Sequence, residues 1–291
     1  MPRFLTSSLI CFLFLPVLLS WGNSLFGNSG PELKIVFIAY ENPDQLIEEV
    51  TPVIEYLERE LQILVKDFVA TDYSGVVEAL RNQTADVGFM GPLQYIMAHQ
   101  QTGAVPLLGE IYNGKSTYVS RIFVRKDSGF NKLEDLRGKN IAFVDPISSS
   151  GFMYPLDIFR QAGLATGRPE DYFGKIYFAG GDEQAIRAVY NRFVDAAGAG
   201  QFAYHLLRPE ERDSVALLAE SRPIPSHCLV ARKGLEVTII NKLKKALLAL
   251  NKEGPNHHLL SYLYGVDGYI EVTHDNYAGV AEIARAYGFI K

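Results

Sequence analysis

Asp145-Pro146-Ile147-Ser148-Ser149-Ser150-Gly151 is the stretch that decides how this 291-residue chain reads. An apolar, strand-like run over 141–144 empties into consecutive serine hydroxyls and a glycine. An amphipathic helical pattern follows, with Phe152, Leu156, Ile158 and Phe159 as its apolar residues. The first amides of a helix have no partner within it and carry the positive end of its dipole, so a turn of this kind suits an oxyanion. Serine hydroxyls beside those amides add donors without adding charge. Taken alone, the same residues also describe an ordinary serine N-cap, so the rest of the chain has to decide.

Outward from this turn, β-branched runs alternate with helical periodicity. Strands are expected over 33–38, 63–69, 87–89, 105–108 and 118–124, and helices over 47–61 and 76–80 and from Gly91-Pro92. In 47–61 the residues Val50, Val53, Ile54, Leu57 and Leu61 share one helical face. The pattern restarts at Leu133, with strands over 141–144, 176–178 and 194–197 and helices from Ser150 and over 183–190. Pro223 and Pro225 mark a crossing back to one more strand at 228–231, and helices are expected over 237–250, 259–264 and 277–287. Such alternation implies an α/β fold with mixed, mainly parallel sheets.

Composition narrows the function class. A hydrophobic share of 48% with 21% charged residues is that of a globular protein with a sizeable core. A formal net charge of −5, with no Lys/Arg block interleaved with aromatics, argues against a nucleic-acid surface. Arg3 followed by an apolar stretch over 9–19 and small polar residues to Gly30 reads as a secretory leader over 1–30, with a retained membrane anchor as the alternative. Without that leader Cys228 is the sole cysteine, so no intramolecular disulfide is expected; a bacterial periplasm fits that combination.

Catalytic patterns are weak. The residues from Gly109 to Ser116 match the P-loop formula, but 117–124 alternates like a strand where a P-loop needs a helix. Neither a Gly-x-Ser-x-Gly elbow nor a His-Glu-x-x-His pair occurs, and the six histidines are scattered. No catalytic residue, metal or cofactor is expected. Three further helix starts accompany the serine turn: Asp72-Tyr73-Ser74-Gly75, with Asp72 or Ser74 as cap, Gly91-Pro92-Leu93-Gln94-Tyr95, and Gly180-Gly181-Asp182-Glu183. All four follow strand ends, where α/β sheets bind ligands, and together they would make a neutral, donor-rich anion site.

In order along the chain stand Asp72-Tyr73-Ser74-Gly75-Val76-Val77-Glu78-Ala79-Leu80, Ala85-Asp86-Val87-Gly88-Phe89-Met90-Gly91-Pro92, Leu133-Glu134-Asp135-Leu136-Arg137-Gly138-Lys139, Asp145-Pro146 with the serine triplet, and Val194-Asp195-Ala196. Through these the chain resembles, over about 33–290, the phosphate/phosphite/phosphonate-binding branch of the periplasmic solute-binding proteins of ABC transporters. The resemblance implies a type 2 periplasmic binding protein fold: lobe 1 at 31–122 and 223–291, lobe 2 at 123–222, and a two-strand hinge. It implies that Ser148, Ser149 and Ser150 hold phosphoryl oxygens from one lobe, while Tyr73 and Tyr40 face them from the other; Gly151, Gly91, Pro92 and Tyr95 join the expected site through the helix starts themselves. Asp182 or Asp195 would accept a hydrogen from a protonated phosphoryl oxygen and so reject sulfate.

The chain departs from that pattern where Met90 replaces a tyrosine, where Gly181 replaces a histidine, and where Ala197-Gly198-Ala199 replaces an acidic or polar side chain. A roomier, less polar cleft is expected in consequence. The implied activity is capture of a phosphorus oxyanion by a monomer that delivers it to an ABC permease in the inner membrane. A sensory module for a membrane signalling partner, or an enzyme on the same scaffold, are the alternatives.

Overall fold

The central strands Val87–Met90, Ile141–Phe143, Ala196–Gly200 and Cys228–Ala231 form where apolar or small-residue runs allow burial on both faces, and two crossings of the chain sort the strands into two main sheets. The computed structural model describes residues 31–38, 43–263 and 265–291; the leader at 1–30 and Tyr40 lie outside the described residues. The chain runs through β1 (Glu32–Ile38), α1 (Pro43–Leu61), β2 (Leu64–Ala70), α2 (Tyr73–Arg81), β3 (Val87–Met90), α3 (Pro92–Thr102) and β4 (Val105–Ile111). It crosses by β5 (Thr117–Tyr118) into β6 (Ser120–Arg125), β7 (Ile141–Phe143), α4 (Tyr154–Gln161), β8 (Ile176–Phe178) and α5 (Asp182–Tyr190). There follow β9 (Ala196–Gly200), α6 (Ala203–Leu206), α7 (Pro209–Arg212) and β10 (Val215–Glu220). It returns by β11 (Ile224–Pro225) to β12 (Cys228–Ala231), α8 (Val237–Ala249), β13 (Gly268–Glu271) and α9 (Ala278–Ala286).

One sheet has the order β13-β4-β12-β3-β1-β2 and the other β10-β6-β9-β7-β8. Both are mixed, as expected, but a parallel majority is not found. Parallel pairing is confined to β1 with β2 and β3, and to β7 with β8 and β9; the remaining neighbours are antiparallel. The reason is the crossing: β6 and β12 enter their sheets from the opposite lobe, so each runs against its neighbours. β6 lies wholly in the second sheet from Ser120 onward.

The expected face of α1 is buried: Val50, Val53 and Leu61 are 0% exposed, and Ile54 and Leu57 pack beside them. They meet Leu243, Ala246, Leu247 and Leu250 of α8 and its C-cap over one face of the first sheet. Each such side chain contributes about 1.5–3 kcal/mol relative to exposure. Leu156 and Phe159 of α4 cover the second sheet with Ile122, Ile141 and Phe143. A third cluster is continuous between the lobes, from Val36, Met90 and Leu93 to Ala142, Val144, Ala197 and Ala199. Among the described residues no helix is long and apolar enough to cross a membrane.

Two features join the lobes outside that core. β5 and β11 form an antiparallel ribbon pairing Thr117 with Pro225 and Tyr118 with Ile224, which is the expected two-strand hinge, and the Ser226 amide extends it by donating to the Ser116 carbonyl at 2.9 Å. Beside the ribbon, Asp157 of α4 accepts from Arg222 Nε at 3.0 Å and from the Tyr287 hydroxyl. Phe289 packs edge-on against Phe152, with ring centroids 5.8 Å apart. The segment after α9 thereby reaches across to the second sheet.

Candidate functional site

All four helix starts singled out in the sequence follow the carboxyl ends of strands β2, β3, β7 and β8. Local chemistry forms each differently. Asp72 caps α2, its carboxylate accepting from the Gly75 amide at 2.8 Å and the Ser74 hydroxyl at 2.7 Å. Pro92 occupies the first turn of α3, where its missing N–H costs nothing, and Gln94 Oε1 accepts from the Gly91 amide at 2.8 Å. Gly181 caps α5 without a side chain.

After β7 the chain makes a π-turn at Ser149–Met153 that runs directly into α4 at Tyr154, so helical structure starts beside the expected Ser150 with its first turn wound as π. Ser148 is its cap: its Oγ accepts from the Gly151 amide at 3.0 Å. Gly151 therefore does not offer the free N–H that the sequence suggests. Its place is steric, since a Cβ there would lie 2.3 Å from the Cβ of Val144. Ser150 anchors the turn through its carbonyl, which accepts from the Ser120 hydroxyl at 2.6 Å.

The serines lie between the lobes. Ser148, Ser149 and Ser150 are 4%, 4% and 7% exposed, and Ser149 Oγ accepts from the Leu93 amide at the start of α3 at 2.8 Å. Tyr73, buried at the start of α2, has its phenol close to the Ser148 side chain, and its backbone carbonyl accepts from Gln94 Nε2 at 2.8 Å. Burial, then the nearby Asp182 and Asp145, hold the Tyr73 phenol protonated well above its usual range. Asp182 faces the same volume: its Oδ1 accepts from the Gly200 amide at 2.7 Å, and burial raises its carboxyl above the ordinary value. Asp145 is raised by burial as well. The cluster is donor-rich but not free of acidic groups, which corrects the expectation of a neutral site. Two carboxyls pushed toward their protonated forms serve as donors or acceptors according to what they meet.

Two predicted residues are placed elsewhere. Tyr95 is hydrogen-bonded to His274 Nδ1 at 2.7 Å and packs edge-on against Tyr277 with ring centroids 5.0 Å apart. Its position along α3 turns it toward the C-terminal helix rather than toward the serines. Asp195 lies at the amino end of β9, where its carboxylate accepts from the Asn140 amide at 2.9 Å, and so ties two strands together. The expected roominess beside Ala197-Gly198-Ala199 is also absent. A Cβ at Gly198 would come within 2.7 Å of Pro155 and 2.8 Å of the Phe143 ring, so the small residues admit close packing. At Gly200, Ser150 Oγ and Asp182 Oδ1 stand 3.2 and 3.5 Å from where a Cβ would be.

Sequence reading missed three residues that the fold brings to this place. The buried Tyr118 hydroxyl approaches the Ser150 and Ser149 side chains without reaching a partner in full hydrogen-bond geometry, which leaves a donor to offer. Its ring meets His227 edge-on at 5.2 Å. His227 Nδ1 lies 3.6 Å from Oε2 of Glu110, a carboxyl that is 0% exposed. Burial lowers His227 to about 4 and raises Glu110 to about 7. The available signal was a lone carboxyl in the otherwise apolar strand β4, hidden inside the rejected P-loop match. Among the described residues no group of three or more His, Cys, Asp and Glu side chains could hold a metal.

Comparison with known proteins gives this arrangement a context. A family described as "ABC transporter, phosphonate, periplasmic substrate-binding protein" matches residues 35–277. The phosphate-import protein PhnD of Mycolicibacterium smegmatis is 32% identical over 171 residues, which cover 56% of this chain and 53% of that protein. The phosphonates-binding periplasmic protein of Escherichia coli is 29% identical over 220 residues, covering 72% and 64%. The matches thus span about half and just under two thirds of those relatives' lengths. The solved structure of PhnD1 from Prochlorococcus marinus in complex with methylphosphonate superposes with a TM-score of 0.78 at 21% identity, over 89% of this chain and 99% of that one, a likeness of fold. With most of its length matched by the family, this chain is a member of the periplasmic substrate-binding proteins of phosphonate ABC transporters.

Proposed function

We propose that this protein captures a phosphorus oxyanion, namely phosphate, phosphite or a phosphonate, between its lobes and delivers it to an ABC importer. The observation that carries this reading is the bond from the Leu93 amide to Ser149 Oγ, which brings donors from both sheets to one buried place. Ser148, Ser149 and Ser150 hold the phosphoryl oxygens, with Tyr73 and Tyr118 adding phenol donors. Asp182 accepts the hydrogen of a singly protonated phosphoryl group. Sulfate carries no such hydrogen at neutral pH and would leave that carboxylate facing an anion unpaired.

In this reading the segments 31–122 and 223–291 form the lobe that carries Tyr73 and Leu93, and 123–222 forms the lobe that carries the serines. The β5–β11 ribbon is the hinge about which they part to admit ligand. Residues 1–30 direct export to the periplasm, where the protein acts as a monomer. No bond is made or broken; the work is capture, closure and release to the permease. Family membership and the relatives' names support this reading.

Isothermal titration with phosphate, phosphite, methylphosphonate and sulfate tests it. Heat with at least one phosphorus oxyanion and none with sulfate is expected, and no heat with any phosphorus oxyanion overturns it.

A further inference from the structure

The residues after α9 run outside the cleft and touch both lobes. α9 itself lies on α3 in the first lobe, with Val280, Ala281, Ile283 and Ala284 buried in the cluster that holds Leu93 and Ile96. Beyond it, the Tyr287 hydroxyl donates to Asp157 Oδ1 of α4, and the Arg160 guanidinium stands 3.7 Å from the centre of the Tyr287 ring. Phe289 packs edge-on against Phe152, and the main-chain oxygen of Lys291 then accepts from Gln100 Nε2 of α3 at 3.1 Å. The segment 287–291 thus leaves the first lobe, is held by the second, and is fastened back to the first.

Asp157 is the node of this arrangement. Its side chain is 3% exposed; Oδ2 accepts from Arg222 Nε at 3.0 Å, and Oδ1 accepts from Tyr287 and, at 3.3 Å, from Gln161 Nε2. A carboxylate taken out of water is tolerated only where donors meet it, so these partners are held firmly. Arg222 stands two residues before β11, so the return crossing and the tail share one carboxylate.

The tail also bears on the serines, although none of these contacts uses a serine hydroxyl. Phe152 belongs to the π-turn that carries Ser149 and Ser150, and that turn runs directly into α4. Whatever holds Phe152 and Asp157 therefore holds the serine turn opposite Leu93.

We propose that Tyr287 and Phe289 are positioning residues for ligand capture: they confine the ligand-free lobes to arrangements in which Ser149 faces Leu93, and so raise affinity without touching the ligand. A ligand binds only the fraction of molecules that is in a competent arrangement, and apparent affinity falls in proportion to that fraction. Loosening the tail widens the set of arrangements and lowers the fraction by one factor, whatever the ligand. Loss of a direct contact weighs differently on ligands that differ at the contacted oxygen. The inference rests on the phosphorus-oxyanion reading for its affinity measurement alone.

The test uses the full chain carrying Cys11→Ser, spin-labelled through Glu60→Cys and Lys175→Cys, one exposed position in each lobe; Cys228 is buried. Pulsed electron resonance reads the distance between the labels with and without saturating methylphosphonate. Calorimetry of the unlabelled protein gives affinities for methylphosphonate, phosphite and phosphate. In Tyr287→Phe and, separately, Phe289→Ala, the ligand-free distance distribution is expected to broaden while the liganded one stays as in the parent. Affinity for every oxyanion the parent binds should fall by a common factor, about threefold to tenfold. Gln100→Ala, which removes the return fastening and touches no buried charge, should act in the same direction and gives the same readings if a tail variant fails to fold. Ligand-free distributions as narrow as the parent's, or affinities within about twofold of it, overturn the assignment while the phosphorus reading stands. Factors that differ among the oxyanions overturn it as well, since they would place the effect in ligand contacts. No heat from the parent with any of the three overturns the phosphorus reading, and the ligand-free distances then decide the role of the tail by themselves.

Discussion

The Leu93 amide and the Ser149 hydroxyl, 56 residues apart in sequence, meet at 2.8 Å and join the first turn of α3 to the π-turn after β7. The acceptor belongs to one lobe and the donor to the other. A hydroxyl in this position accepts one hydrogen and still has its own to give. Ser149 is therefore a lobe-to-lobe contact and, in the proposed function, a ligand donor at once.

Ser149→Ala removes both contacts, and Ser148→Ala removes a cap. The first is expected to weaken methylphosphonate binding about tenfold and to cost about 1–3 kcal/mol of stability, because the buried Leu93 amide loses its acceptor. The second should lower stability by about 1 kcal/mol, because the Gly151 amide loses its acceptor. Calorimetric titration and thermal melts of the two variants separate the effects.

Tyr73 and Tyr95 make an opposed pair. Tyr73→Phe should weaken oxyanion binding about tenfold, since its phenol lies beside Ser148 at the serine turn. Tyr95→Phe should cost about 1 kcal/mol of stability through loss of the His274 partner and leave affinity unchanged. Equal affinities for the two variants would show that Tyr73 does not belong to the site.

Gly198→Ala and Gly151→Ala test the steric reading of the small residues. Each would drive a methyl group to less than 3 Å from a packed side chain, Pro155 in one case and Val144 in the other. Overpacking of this kind costs about 1–3 kcal/mol, and denaturant melts should show it for both. Ala at Gly114, where no atom lies within 4 Å but φ is +70°, should cost about 1 kcal/mol from backbone strain alone.

Glu110 and His227 predict pH dependences of opposite sign. Glu110 is raised from 4.5 to about 7, so its contribution to stability is whole below pH 4.5 and is lost as pH rises through about 7. Relative to the parent, Glu110→Gln should therefore gain up to about 3 kcal/mol between pH 4.5 and 8. His227 is lowered from 6.5 to about 4, so its contribution is whole above pH 6.5 and is lost as pH falls toward 4. His227→Gln should gain on the parent over that lower window. Urea melts of the ligand-free proteins at a series of pH values read both slopes, and parallel curves for parent and variants would contradict the burial of the pair.

What the sequence disclosed, and what it hid, divides along one line: local chemistry was legible and long-range pairing was not. The α1 face, the Asp72 and Ser148 caps, and Pro92 in its first turn all depend on residues within a few positions of one another. The strand following Gly109–Ser116 likewise ruled out a P-loop, and β5 and β6 are found there. The antiparallel pairings of β6 and β12 depend on a chain that leaves a sheet and returns, which periodicity does not record. Tyr118, His227 and Glu110 converge only because the ribbon pairs β5 with β11, and no spacing rule links positions 110, 118 and 227. Tyr95 was misassigned for a subtler reason. Being near a helix start says which end of a helix a residue occupies, but its turn angle decides which neighbour it faces.

The reach of Tyr287 across to Asp157, beside Arg222 and the β5–β11 ribbon, alters the mechanics of any opening. Two strands alone form a ribbon that can twist as readily as it bends. A third strap alongside them behaves more like a door hung on several knuckles: rotation about one line remains soft, while torsion about the long axis becomes stiff. The serine turn would then swing away from Leu93 and return along the same arc, so that alignment of the two halves on each closure is a property of the joint and not of whatever lies between them.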